Sequence, residues 1–138
     1  MNTEDQLKIT AENLRTQDNR CTAEPMFCVQ IKVRDTGYDI RYTDNECWWN
    51  PALLEVAYDQ KPDGDGWDGP FGYKDRWETV MVAFTQAGCE EYLELNGHND
   101  KHRAHNGEVR IYAESFRRCP EMLAIRGFLA ALPLQYTL

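Results

Sequence analysis

The sequence lacks the short motifs that mark several common enzyme classes. It has no GxSxG nucleophile elbow, no phosphate-binding GxxxxGK[ST] and no zinc-binding HExxH. It also has no run of about 18 apolar residues, the length that a transmembrane helix needs. Its first ten residues, MNTEDQLKIT, have neither the basic start nor the apolar stretch of a secretory signal. We therefore expect a soluble, cytoplasmic protein with no membrane partner, outside these hydrolase and NTPase classes.

Cysteine is present in an odd number, and no two cysteines stand in a CxxC pair. The five are Cys21, Cys28, Cys47, Cys89 and Cys119. This pattern argues against a disulfide framework and predicts free thiols. Cys119 comes just before Pro120 at a predicted helix start, where the helix dipole lowers a thiol pKa, so it is the best candidate nucleophile. We favour the simpler interpretation, a half-buried packing residue before a helix.

The net charge of -8 is unevenly distributed along the chain. Residues 1–100 carry 9 Lys or Arg against 20 Asp or Glu, whereas residues 101–138 carry 6 against 3. An acidic surface repels nucleic-acid phosphates and favours partners with a basic surface. We therefore expect a basic protein partner and no direct binding of nucleic acid, with solubility alone as the other explanation of the charge.

The length and the hydrophobic patterns of the first half predict the start of a single α+β domain spanning residues 1–138. Residues 1–20 have the pattern of an N-terminal helix, with Thr3 and Gln6 placed as a capping box. The alternating stretches MFCVQIKVRD and YDIRYTD, separated by a glycine-containing turn, predict a β-hairpin. Glycine and proline then interrupt any regular period, and residues 60–72 are expected to form an irregular acidic loop.

The second half predicts a strand, a helix, a strand and a helix. RWETVMVAF is apolar on both faces, as an inner strand is, and Thr85 then caps the helix QAGCEEYLELNG, which Gly97 is expected to end. EVRIYAES is the next strand, and CPEMLAIRGFLAALP is a helix with Pro120 near its start. The expected order is α-β-β-loop-β-α-β-α, with one mixed sheet and helices mainly on one face.

The three histidines, His98, His102 and His105, fall within eight positions. A zinc site needs three or four ligands held by rigid elements, and this segment does not offer a complete set. We therefore expect no metal and no other cofactor, and interpret the segment as a polar loop. His98 and Asn99 are expected to tie the end of the preceding helix to the next strand through side-chain hydrogen bonds.

The acidic loop contains Asp63, Asp65 and Asp68, a spacing that suggests calcium. An EF-hand loop counted from Asp63 would need an oxygen ligand at Trp67 and a glycine at Asp68, so the match is poor. We favour an acidic, solvated turn. Because Trp67 and Phe71 lie in the same stretch, the loop has apolar surface that a partner could cover.

Arginine and tyrosine side chains occur together in two other places, a mixture that binds single-stranded nucleic acid. These residues are Arg34, Tyr38, Arg41 and Tyr42 in RDTGYDIRY, and Arg117 and Arg118 in SFRRC. The acidity of the whole chain weakens this interpretation. We expect the arginines to pair mainly with carboxylates and treat them as an alternative interaction surface.

The stretches FGYKDRWETVMVAFTQAGCEEYLELNGHN and RIYAESFRRCPEMLAIRGFLAAL resemble a family of small accessory proteins of tailed bacteriophages and prophages of Gram-negative bacteria. The shared pattern is GYxDxWExVxxxFTxxGCExYLxxNGHN followed by RIYVxSxxR, and the resemblance covers roughly residues 71–132. It includes His98 and Asn99, whereas His102 and His105 lie in an insertion, DKHRAHNGEV. The resemblance implies a phage accessory gene without a specific activity.

These observations together favour a phage-encoded, non-enzymatic protein that binds and inhibits or redirects a host protein in the cytoplasm of the infected or lysogenic bacterium. The most concrete expectation is an inhibitor of a nucleic-acid-targeting defence complex, of the anti-CRISPR or anti-restriction type. Segment 55–78 would dock on a basic channel, with Trp67 and Phe71 as anchors within an acidic rim. The alternative is a small enzyme or nucleic-acid-binding accessory protein that uses Cys119, His98 and the arginines. The sequence leaves open whether the protein is a monomer or a homodimer.

Overall fold

The computed structural model describes residues 2–133. Its helices are α1 (Thr3–Thr16), α2 (Gln86–Arg103) and α3 (Pro120–Ala130), and its strands are β1 (Pro25–Tyr38), β2 (Glu46–Asn50), β3 (Glu55–Tyr58), β4 (Asp68–Ala83) and β5 (Val109–Ser115). The expected α+β class is confirmed. Among the described residues, no helix has both the length and the apolar character needed to cross a bilayer.

The strands form one sheet in the order β3-β2-β4-β1-β5. The sheet is antiparallel, whereas we expected a mixed sheet. The strand, helix and strand predicted in the second half are present as β4, α2 and β5, but β1 lies between the two strands in the sheet. β4 lies between β2 and β1 in the strand order, but β2 pairs with it at residues 68–72, outside RWETVMVAF, and Val82 in that stretch is 45% exposed.

The predicted hairpin of residues 26–44 is wrong. β1 continues through the glycine-containing segment, where Gly37 has a φ of +94°, and ends at Tyr38. Ile40–Tyr42 form a 3-10 turn, and Asp39 caps it by accepting a hydrogen bond from the Arg41 N–H at 2.9 Å. β1 and β2 lie on opposite sides of β4 in the strand order, so the chain does not form a hairpin after β1.

The chain divides into two compact units. The first unit comprises Met1–Ile31 and Glu78–Leu138, and the second comprises Lys32–Trp77. In the first unit, the core consists of Phe27, Val29 and Cys89, which are fully buried. Apolar side chains of β4, α2 and β5 pack around these three, including Ile111 and Ala113.

The helices of the first unit begin where polar side chains cap them. The Thr85 hydroxyl accepts a hydrogen bond from the Gly88 N–H at 3.0 Å, which confirms the predicted start of α2. At α1, the cap is Asn2, whose side chain accepts from the Asp5 N–H at 2.8 Å, and not the expected Thr3. α3 begins with Pro120 at its first turn, as predicted.

The second unit contains β2, β3 and the parts of β1 and β4 that fall within residues 32–77. β2 pairs with β3 through Trp49 and Val56, and with β4 through Cys47 and Phe71. The irregular segment expected before RWETVMVAF therefore contains β2, β3 and the start of β4. Within the predicted acidic loop 60–72, residues 60–67 lie outside strands and residues 68–72 belong to β4.

Candidate functional site

The β2–β3 hairpin ends in a turn that exposes two leucines. The Asn50 side chain accepts hydrogen bonds from the N–H groups of Ala52 and Leu53, both at 3.1 Å, which fixes the turn. Leu54 follows in the left-handed region with a φ of +54°. The side chains of Leu53 and Leu54 are 58% and 76% exposed. An apolar pair held in a rigid turn at this level of exposure is a feature of contact surfaces.

An apolar cleft of about 240 Å³ lies on the sheet of the second unit. Its lining residues are Thr36, Gly37, Cys47, Trp49, Val56 and Phe71. Trp49 and Val56 are directly opposite each other one position before the turn, so the cleft adjoins the exposed leucines. Phe71, which we expected to be a contact residue, is 40% exposed in this cleft. We call the leucine turn and the cleft together the hairpin-tip surface.

The acidic residues lie around the same end of the second unit. Asp68 is paired with Trp49 across β2 and β4, and the backbone of Gly66 lies close to the Asn50 side chain that shapes the turn. Asp63, Asp65 and Asp68 are exposed, and Trp67 is half-buried. The structure therefore brings Asp68 and Phe71 onto one strand and places Trp67 between the acidic loop and that strand.

The second unit also contains a cluster of charged and aromatic residues. The Arg34 guanidinium donates two hydrogen bonds to Asp75, at 2.7 and 3.0 Å, and lies 4.5 Å from the ring centre of Tyr58 and 4.1 Å from that of Tyr73. The hydrogen bond from Arg34 lowers the pKa of the Asp75 carboxyl. The Tyr73 hydroxyl donates to Asp59, and this bond raises the pKa of Tyr73. This cluster connects three strands of the second unit.

Two arginines of the alternative surface are already paired with carboxylates. Arg34 is held by Asp75, and Arg41 donates from Nε and Nη2 to Asp39 at 2.9 to 3.2 Å. Tyr42 is 70% exposed, and the Lys74 ammonium lies 4.9 Å from the ring centre of Tyr38. The remaining residues, Arg117 and Arg118, are exposed in the first unit, in the turn between β5 and α3.

The histidine segment is not a loop. α2 continues past Gly97 to Arg103, so His98, Asn99 and His102 are helical, and His105 begins a 3-10 turn. The expectation that His98 and Asn99 join the helix end to the next strand is therefore wrong. Gly97 is buried within α2 and is not among the glycines with a positive φ, so it does not end the helix. Within residues 2–133, no three His, Cys, Asp or Glu side chains form a group that could hold a metal ion.

Cys119 occupies the N-cap position of α3 and is partly buried, as its position before Pro120 suggested. His98 is exposed on α2 and lines a separate cavity of the first unit with Leu93, Lys101 and Val109. Within residues 2–133, Cys119 and His98 form no hydrogen bond with each other, so the structure shows no Cys–His pair.

The sequence reasoning missed Leu53, Leu54, Trp49 and Val56. The sequence signal that could have identified this surface is the Leu-Leu pair of NPALLEV, which follows an asparagine and a proline that are typical of a turn. Two adjacent leucines in a turn cannot both be buried by the strands that flank it. We compared the chain with known proteins, and no family model, curated protein or solved structure matches it.

Proposed function

We propose that this protein is a non-enzymatic binding protein of a tailed phage or prophage that acts on a host protein. The most concrete target is a nucleic-acid-targeting defence complex, which the protein would inhibit in the cytoplasm of the infected or lysogenic host. The resemblance described above supports the phage origin. The observation that carries the proposal of binding is the hairpin-tip surface, where exposed leucines adjoin an apolar cleft and the exposed Asp68 pairs with Trp49 of that cleft.

The chemistry of this surface suits a basic protein partner. Segment 55–78 carries seven acidic and three basic residues. We call its exposed aspartates Asp63, Asp65 and Asp68 the acidic rim, of which Asp68 pairs with Trp49 of the cleft. Apolar anchors at the centre of an interface supply most of the binding free energy, and charges at the rim increase the association rate. A groove that normally holds nucleic acid is basic, so the acidic rim would be attracted to it.

Ion pairs between arginines and carboxylates of this chain also favour protein binding over direct nucleic-acid binding. Arg34 and Arg41 already donate to Asp75 and Asp39, and a phosphate would have to compete with these carboxylates. Binding that depends on phosphate neutralisation would be weak on a chain with a net charge of -8.

The test uses two leucines of matched exposure. Leu54 is 76% exposed in the hairpin turn, and Leu95 is 78% exposed on α2. Tagged wild-type, Leu54→Asp and Leu95→Asp chains are expressed in the host, and captured proteins are quantified by mass spectrometry. Aspartate tolerates the left-handed backbone of position 54, so the variant should fold.

We expect one host protein to be captured by the wild type and by Leu95→Asp and to be lost from Leu54→Asp. That protein, once purified with its nucleic-acid substrate, should lose activity when the wild-type chain is added. Capture of the same protein by all three chains would exclude the hairpin-tip surface. A captured protein that retains full activity would contradict inhibition.

A further inference from the structure

A second surface lies at the opposite end of the strand order, on the edge strand β5. Among the described residues, β5 is the last strand after β1, and Pro25 to Ile31 pair with Ser115 to Val109. The Phe116 N–H donates to the Glu24 carbonyl at 3.2 Å, which continues this register by one position. Glu24 and Phe116 are therefore a hydrogen-bonded pair, and such pairs alternate with non-bonded pairs along the two strands. Val109, Ile111 and Ala113 fall at non-bonded pairs, so their backbone N–H and C=O groups point away from β1.

A second contact supports this direction. The Arg20 guanidinium donates to the Ile111 carbonyl at 2.6 Å, so that carbonyl is directed away from the strand partner. Arg20 is an exposed side chain whose guanidinium also lies 5.7 Å from the ring centre of Phe27. In the single chain, this arginine therefore covers part of an edge that is otherwise able to pair with another strand.

The side chains on the outer face of β5 form the series Arg110, Tyr112 and Glu114. Arg110 Nε donates to Gln30 at 2.8 Å, and its guanidinium lies 4.6 Å from the ring centre of Tyr112. Glu114 lies beside the Cys28 thiol, which donates to it at 3.6 Å. Tyr112 is 43% exposed. A positive, an aromatic and a negative side chain are thus evenly spaced on one face of an edge strand.

We propose that two copies of this chain pair through β5 in an antiparallel arrangement, with a two-fold axis at Tyr112. In this register, Arg110 lies opposite Glu114 of the partner subunit, and Glu114 lies opposite Arg110 of the partner subunit. Both ion pairs and the central tyrosine pair are then formed by one strand and its own copy. Such self-complementarity is the property that a two-fold interface requires.

The backbone geometry selects the same register. Ile111 of one copy and Ala113 of the partner subunit exchange two backbone hydrogen bonds, because the N–H and C=O groups of both residues point away from β1. Arg110 and Glu114 then fall at non-bonded pairs, where the side chains of opposing strands are closest. The Ala113 N–H of the partner subunit replaces Arg20 at the Ile111 carbonyl, so the arginine must move aside.

Charge distribution makes this end of the chain the better one for self-association. Residues 101–138 carry 6 Lys or Arg against 3 Asp or Glu, whereas residues 1–100 are strongly acidic. Pairing through the acidic segment 55–78 would place like charges together, but pairing through β5 places opposite charges together. The proposed contact shares no residue with the hairpin-tip surface, so each proposal can fail without the other.

The test exchanges the charges of the pair. Arg110→Glu and Glu114→Arg are each expected to weaken self-association at least tenfold, since like charges directly opposite are destabilising. When the two variants are mixed, one copy presents only negative and the other only positive side chains at these positions. We therefore expect a heterodimer in analytical ultracentrifugation, although neither variant dimerises alone. Circular dichroism of each variant checks that it folds.

A cysteine at the axis tests the register even if a charge variant fails to fold. In a Cys21→Ser, Cys28→Ala and Cys119→Ser background, Tyr112→Cys should form an intermolecular disulfide on mild oxidation, because opposing residues at a non-bonded pair are about 4.5 Å apart. Cys28 is replaced because it lies opposite Tyr112 in the same chain and could form an intramolecular disulfide with the new cysteine. The control Glu108→Cys should not, because two copies of position 108 would lie roughly 27 Å apart. The proposal would be overturned if the wild-type chain stays monomeric at its solubility limit. It would also be overturned if the two charge variants form no mixed dimer, or if positions 112 and 108 cross-link equally.

Discussion

Arg34 and Asp75 form a two-bond ion pair that joins β1 to β4 within the second unit, with N–O distances of 2.7 and 3.0 Å. The Lys32 ammonium lies 3.6 Å from the same carboxylate. Only 13% of the Arg34 side chain and 28% of the Asp75 side chain are exposed. The rings of Tyr58 and Tyr73, whose centres lie 5.2 Å apart, both pack against the guanidinium and limit its contact with water. This pair therefore contributes to the stability of the sheet that carries the hairpin-tip surface.

We expect Asp75→Asn to lower the free energy of unfolding by about 1–3 kcal/mol at neutral pH, the range for a hydrogen bond to a charged group. The Arg34 hydrogen bond holds the pKa of Asp75 below its ordinary value of 3.8 in the folded state. A lowered folded pKa gives stability that is present above about pH 4 and is lost as the pH falls through the lowered value. The difference between wild type and variant should therefore shrink in urea unfolding experiments below pH 4.

Asp35→Asn is the matched control. Asp35 accepts a hydrogen bond from Arg76 at 2.8 Å, and both side chains are more than one third exposed. Exposed ion pairs contribute roughly 0–1 kcal/mol, so this variant should change little. If the two variants lose the same free energy of unfolding, the Arg34 cluster has no greater stabilising effect than an exposed ion pair.

A glycine of the second unit tests how closely β4 packs. A side chain at Gly72 would meet the Thr43 methyl group and would approach the backbone oxygen of Tyr38 at 3.2 Å. We expect Gly72→Ala to destabilise the protein by about 1–3 kcal/mol, as overpacking does. In contrast, Gly127→Ala in α3 meets no atom within 4 Å and should stabilise the helix by roughly 0.5–1 kcal/mol. Thermal unfolding of both variants measures the difference, and a neutral Gly72→Ala would contradict the packing described here.

The first-unit elements were predictable because their signals are local. The alternation of β5, the Thr85 cap of α2 and the proline of α3 each act within a few residues, and the structure has all three. The second unit was not predictable in the same way. β2 and β3 are four or five residues long, and each exists because the other strand is beside it. Pairing between short strands leaves no period in the sequence that could distinguish them from an irregular segment.

The thiols differ in exposure, and this difference predicts their reactivity. Burial raises the pKa of the Cys28 thiol to about 11, with a further increase from Glu114, and burial likewise raises that of Cys89 to about 11. Cys21 is exposed. Because the thiolate is the reactive form, alkylation at pH 8 should modify Cys21 at least about a hundredfold faster than Cys28 or Cys89. Peptide mass spectrometry after timed iodoacetamide treatment measures the rates, and the urea-unfolded chain serves as the control. Rapid modification of Cys28 in the folded chain would contradict the burial described here.

The candidate site was only partly predictable for a related reason. The aspartates and Phe71 were identified from composition, because charged and aromatic residues in a glycine-rich stretch are visible in the sequence. The leucine turn was not identified, since its exposure depends on the Asn50 hydrogen bonds that fix the hairpin. Arg34 was assigned to an interaction surface, but its pairing with Asp75 could be seen only after the strands were placed side by side.

The acidic rim of the hairpin-tip surface should control how fast the partner binds. Replacing Asp63, Asp65 and Asp68 with asparagine removes three exposed negative charges, and we expect roughly three- to tenfold slower association at low salt, with a flatter salt dependence. Trp67→Ala should mainly speed dissociation, because a half-buried aromatic anchor acts after the encounter. Surface plasmon resonance at two salt concentrations, against the captured host protein, measures both rates.

The matched control for the rim is the exposed acidic face of α2. Changing Glu90, Glu91 and Glu94 to glutamine alters the net charge by the same amount in the first unit. If the rim acts locally, this variant should keep most of the wild-type association rate, because charges beyond a Debye length of about 8 Å are largely screened at physiological salt. Equal slowing by the two triple variants would mean that only the net charge steers the protein. Unchanged rates in the rim and Trp67 variants would remove the acidic loop from the interface and leave Leu53, Leu54 and the cleft as the contact to test next.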